Sequence, residues 1–297
     1  MRFTMVLLQA MLSVGLEAET LDPKLLDLVP TDARFVFGID AERYQNSPLA
    51  SLYPLQLDRL IGRWAPSPSQ TRQLIFAVRD PQQDQTPLII IRGAAVALLS
   101  DHRERPSENS DDGMPAHALV DATTGVLGDP TAVQQAIERA RQAEPSSGEL
   151  VAKLRQLSQT YDAWFIAIRP LENLDQIPPK TVLRYREDFI RMTEEVQGGI
   201  QIGRSNDLRI AVTMKTIEDA AALAALSRWA PGFLEAQGPH NSEGALVELL
   251  EDLTVTTAGN TVSISFSLDE SKVEDLVKSM RATDDAVQNS SPIEIKQ

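Results

Sequence analysis

Val29-Pro30-Thr31-Asp32-Ala33-Arg34-Phe35-Val36-Phe37-Gly38-Ile39-Asp40-Ala41-Glu42-Arg43-Tyr44-Gln45-Asn46-Ser47-Pro48 decides the fold class. It reads as a turn, a buried strand, a cap and a helix start. Phe35 to Ile39 is an unbroken apolar run rich in β-formers, the pattern of a central strand. Gly38 inside it marks close packing or a bulge. Asp40 and Ser47 are its most chemically tempting residues. A carboxylate at the end of a central strand can serve a ligand site, but Asp and Ser in these places are first of all helix and turn caps. A shortened echo follows at Asp162-Ala163-Trp164-Phe165-Ile166-Ala167-Ile168, which predicts two related halves.

Working outward, Asp22-Pro23 caps and starts a short helix that Pro30 stops. Asn46-Ser47-Pro48 opens an amphipathic helix through Leu49, Leu52, Leu55, Leu57, Leu60 and Ile61, kinked at Pro54. Residues 73–79 and 87–92 read as an antiparallel hairpin, and residues 100–113 as a polar loop. A second hairpin, 116–120 with 124–127, feeds a helix capped by Asp129 and begun by Pro130. Ala143-Glu144-Pro145-Ser146-Ser147-Gly148 is the internal boundary. Beyond it come a helix with Leu150, Val151, Leu154 and Leu157, the echo strand, and a helix at about 181–196. Strand pairs 198–203 with 208–214 and 253–257 with 261–267 follow, each feeding a helix, capped by Thr216 and Asp269.

A hairpin feeding a capped helix thus recurs. It predicts an α+β fold: a largely antiparallel sheet with helices packed on one face, in two related ferredoxin-like or split-βαβ halves. The expected organisation is a signal peptide at 1–18, an N-terminal half at 19–145, a C-terminal half at 146–282 and a flexible tail at 283–297. Arg2, a short apolar run from Met5 to Leu16, and Ala18 give the three-part layout of a secretory signal. The run is too short to span a bilayer. The expected location is therefore periplasmic or extracellular, with no stable transmembrane anchor after cleavage.

The order Leu28-Val29-Pro30-x-Asp32-Ala33, a strand ending Gly38-Ile39-Asp40, Asn46-Ser47-Pro48, Arg92-Gly93 and the segment from Ala118 to Asp129-Pro130 resembles a group of uncharacterised exported bacterial proteins. The part from Leu253 to Met280 looks similar as well. In that group a helix usually follows the Arg-Gly; here residues 94–105 depart from the pattern. The resemblance implies an exported α+β protein and no particular activity.

The 297 residues carry a formal net charge of -14 and no cysteine, with a pI near 4.7. An acidic field disfavours phosphate backbones and anionic membrane surfaces, so no nucleic-acid partner is expected. Without cysteine there is no disulfide, thiolate metal site or cysteine nucleophile. His102, His117 and His240 lack metal-ligand spacing. Gly198-Gly199-Ile200-Gln201-Ile202-Gly203 is not a dinucleotide fingerprint, because a strand follows where a phosphate-binding helix should begin; it reads as a strand edge. Asn109-Ser110-Asp111-Asp112-Gly113 lacks EF-hand spacing. Glu194-Glu195, Glu251-Asp252 and Asp284-Asp285 are neighbours that point apart on a helix. Trp64, Trp164 and Trp229 read as core or edge packing.

No catalytic, cofactor-binding or metal-binding residue is assigned, and no cofactor is expected. The leading expectation is a non-enzymatic binding or assembly module of the cell envelope, using exposed sheet faces or edges between the halves for an unknown protein or small ligand. The alternatives are a hydrolase-like enzyme with a site at the junction of the halves, and a purely structural domain of a larger complex.

Overall fold

Pro23 at the start of a helix and Asp22 before it settle the first element. Asp22 Oδ1 accepts from Lys24 N at 2.9 Å, and α1 runs Pro23–Leu26. Its Leu25 and Leu26 are buried. The computed structural model describes residues 21–47, 50, 70–79, 86–94, 116–142, 147–169, 191–203, 205–236, 252–269 and 271. The expected signal segment, the helix through Leu49 to Ile61, Trp64, the loop at 100–113, His102, His240 and the tail lie outside these residues.

Ten strands form one sheet: β1 (Phe35–Asp40), β2 (Thr71–Val78), β3 (Leu88–Gly93), β4 (Ala116–Leu119), β5 (Thr124–Gly128), β6 (Ala163–Ile168), β7 (Thr193–Gln201), β8 (Ser205–Met214), β9 (Thr254–Ala258) and β10 (Thr261–Asp269). Their order is β4-β5-β3-β2-β1-β6-β7-β8-β10-β9. Every described pair is antiparallel. Read outward from the middle, each half repeats one order: a three-strand meander, then a hairpin whose second strand joins first. The α+β class, the antiparallel sheet and the two halves are thus present. The halves meet through β1 and β6, with Phe35 opposite Ala167 and Gly38 opposite Trp164. That pairing closes the place where edges between the halves were expected; among the described residues the outermost strands of the sheet are β4 and β9.

The further helices bounded within the described residues are α2 (Ala41–Gln45), α3 (Pro130–Arg141), α4 (Glu149–Thr160) and α5 (Ile217–Ala236). One face of the sheet packs Val36, Ile75, Ile90, Val126, Trp164 and Ile166 against α1, α3 and α4. Leu150, Leu154 and Leu157 of α4 belong to this core, so the helix after the internal boundary packs on β6 and β7 of its own half and on α1 of the first. Full burial of each such leucine stabilises by about 1.5–3 kcal/mol. Arg139 on α3 donates to Leu28 O at 2.8 Å, and Arg155 on α4 pairs with Asp27 at 2.8 Å; both tie a helix to the α1 turn. The opposite face carries Ile39, Leu74, Phe76, Ile89, Ile91 and Leu127. Register places Val196, Ile210, Val212 and Val262 on that opposite face, where α5 packs with Ala220 and Ala224. Among the described residues, α1, α3 and α4 thus lie on one face of the sheet and α5 on the other.

The caps behave as their chemistry requires. Asp129 Oδ1 accepts from Thr131 N at 2.9 Å, and Thr216 Oγ1 accepts from Asp219 N at 3.0 Å. Three expectations are corrected. The helix expected to run to Val196 gives way to β7 at Thr193, and Glu194-Glu195 lie in that strand. Gly198 and Gly199 sit inside β7, paired on both sides, rather than on an edge. Trp229 is 74% exposed rather than packed, whereas Trp164 is 1% exposed.

Candidate functional site

Three consecutive strands build the junction. Gly38, Trp164 and Gly199 lie side by side in register on β1, β6 and β7, so all three face the same way. A Cβ on Gly38 would sit 2.3 Å from Trp164 Cζ2, and one on Gly199 would sit 2.4 Å from Tyr161 Cγ. Two glycines thus let two aromatic rings lie flat on the sheet.

At the end of these strands Asp40, Arg43 and Asp162 converge. Asp40 terminates β1 and caps α2, its Oδ1 accepting from Arg43 N at 2.8 Å. The α2 turn swings Arg43 back, and its Nη1 meets Asp162 Oδ1 at 2.6 Å. Asp162 Oδ2 accepts from the buried Ile202 N at 2.6 Å. The main chain repeats the joint: Asp40 N donates to Asp162 O at 2.7 Å, and Asp162 N to Ile200 O at 3.0 Å. One residue therefore ties β1, α2, β6 and the end of β7 together.

A cavity of about 220 Å³ opens beside this joint, lined among others by Leu21, Asp40, Arg43, Tyr161, Asp162 and Gln201. An open groove of about 530 Å³ adjoins it past Thr160, Tyr161 and Gln201, towards Arg209, Thr254 and Ser265. Two hydroxyls at the cavity are engaged: Ser158 Oγ donates to Arg155 O at 3.0 Å, and Thr160 Oγ1 to Gln156 O at 2.8 Å. No histidine lines the described cavity. His117 lies on β4, at the far edge of the sheet from the junction. No group of three or more His, Asp or Glu positioned for a metal ion occurs among the described residues.

Burial is the largest influence on Asp40 and pushes its carboxyl above the ordinary range. The Arg43 N–H opposes this, the charges of Asp162 and Glu42 reinforce it, and the Arg43 guanidinium opposes it again. The folded chain therefore holds the Asp40 proton more tightly than the unfolded chain. Stability falls as pH rises from the ordinary carboxylate range through the folded-state value. Asp40→Asn keeps an N-cap acceptor and removes the charge. Its melting temperature should match or exceed that of the parent above this interval, with the advantage gone below it; thermal unfolding across pH checks this.

The sequence picked out Asp40 and Trp164 and read both as structural, which their geometry supports. It did not bring Arg43 and Asp162 together. The available signal was Asp at the head of the echo, the position where a second strand-end carboxylate would stand beside Asp40.

No family model matches the chain, and no curated protein matches it. Two crystal forms of TP0453 are similar in structure. Form I has a TM-score of 0.46 at 8% identity, covering 90% of this chain and 99% of that one. Form IV has a TM-score of 0.48 at 9% identity, with coverage of 90% and 99%. Neither likeness bears on activity or on partners.

Proposed function

We propose that the chain is an exported, non-catalytic protein of the cell envelope that works by binding or assembly at the open end of its second half. One observation carries this reading. At the β9 end of the sheet, α5 holds Ile217 and Leu226 63% exposed and Trp229 74% exposed, beside an edge strand with no neighbour on its outer side among the described residues. Large apolar side chains held in water next to unpaired backbone are the makings of a protein-docking surface. The groove of Arg209, Thr254 and Ser265 lies on the opposite face of the sheet from α5.

The test uses the full chain in its own envelope. Trp229→Asp should release it from whatever complex it forms there, read as a fall in native size, without lowering its melting temperature. An unchanged native size would contradict the reading. Export has its own check. Protein recovered from the periplasm or medium should lack residues 1–18 on N-terminal sequencing, whereas cytoplasmic protein with an intact Met1 would refute export.

A hydrolase-like activity at the junction is the second reading, favoured by the cavity and by the raised Asp40 carboxyl. It ranks lower because Arg43 and Asp162 are committed to each other and to the Ile202 backbone.

A further inference from the structure

Resting on that reading, we propose that the partner at the open end is a second copy of this chain, with β9 pairing antiparallel to β9 of the copy across a two-fold axis. The edge itself is permissive. Thr254-Val255-Thr256-Thr257-Ala258 has no charge and no proline, and it pairs with β10 without a register shift. Charge, proline and bulges are the usual devices that keep a strand edge from pairing. Arg228 on α5 donates to Val255 O at 3.3 Å. This is a long bond from an exposed guanidinium, one that an incoming strand N–H can displace.

Symmetry selects the copy over an unrelated strand. A two-fold axis normal to the sheet reverses strand direction and preserves the faces, so an edge strand is complementary to itself. The same operation keeps α5 of both copies on one face. Trp229 follows Arg228, whose guanidinium reaches the edge, so Leu226 and Trp229 of the two helices are brought alongside one another. The chain already uses this joint once, where β1 and β6 unite its halves.

Charge points the same way. At a net charge of -14, two copies repel over most of their surfaces, and association requires a neutral patch. The strand supplies one, as do Ile217, Ala221, Ala222, Ala225, Leu226 and Trp229 on the exposed side of α5. The charges bordering this row, Glu218 and Arg228, are of opposite sign.

The experiment is sedimentation of the full chain over a wide concentration range, with Thr257→Lys, Trp229→Asp and a single-cysteine variant, Thr256→Cys. The parent should show a concentration-dependent dimer. Thr257→Lys and Trp229→Asp should each weaken it at least about tenfold, equivalent to about 1.4 kcal/mol, with melting temperatures unchanged at dilutions where the parent is monomeric. Because the chain has no cysteine of its own, a disulfide in Thr256→Cys can only join two copies. It should form on mild oxidation, and one at Ala118→Cys on the opposite edge should not. A parent that stays monomeric, or a dimer indifferent to both charges and cross-linked equally from either edge, would overturn the proposal. If the parent is monomeric yet Trp229→Asp still frees it from an envelope complex, the second copy is wrong and the docking surface stands.

Discussion

Gly38→Val should destabilise the protein by at least about 3 kcal/mol, at the upper end of what overpacking a core costs. The reason is steric. Three Trp164 ring atoms lie 2.3, 2.5 and 2.9 Å from where the first added carbon would stand. The ring cannot retreat, because Trp164 is 1% exposed and sealed by the helices of the first core. Even Gly38→Ala should be costly, and its cost should fall when Trp164 is first replaced by Leu. A double-mutant cycle measured by denaturant unfolding should return a coupling above about 1 kcal/mol, as expected for residues in direct contact. Additive effects would mean that the indole does not rest on Gly38.

Asp162→Ala should cost about 2–4 kcal/mol. It leaves the buried Ile202 N–H without its acceptor, worth about 1–3 kcal/mol by itself. It also strands Arg43, whose share is reduced because that side chain is 46% exposed and water screens it. Asp162→Asn keeps an acceptor for Ile202 and should lose less. Both changes remove a charge that raises the Asp40 carboxyl, so the Asp40 titration followed by NMR should move down in each variant. An unmoved Asp40 would contradict the joint as drawn.

Local chemistry was legible in the sequence, and long-range pairing was not. Asp22, Asp129 and Thr216 declared their helices because a cap acts within one turn. The hairpins declared themselves through polar turns between apolar runs. The helix expected to end at Val196 failed because its final residues belong to β7. There Glu195 pairs with Lys153 of α4 at 2.7 Å, a partner distant in sequence. Gly198 and Gly199 read as an edge because glycine lacks a side chain to pack. The structure instead uses that absence, placing Tyr161 over Gly199 and leaving room for Arg209 O beside Gly198. Trp229 read as packing because a tryptophan is costly to leave in water, and its exposure is the reason the second half is assigned the docking surface. The meeting of β1 with β6, and hence of Arg43 with Asp162, depends on which strands become neighbours, and apolar periodicity carries no such information.

The junction joins the two halves of the sheet, and the β9 end is the proposed binding surface. Hydrogen exchange of the full chain at low and high concentration tests both parts together. Amides of β1 and β6 should exchange slowly at every concentration, only through global unfolding. Those on the outer side of β9 should exchange quickly when dilute and become protected when concentrated. Fast exchange at β1 and β6, or equal protection of β9 at both concentrations, would contradict the account.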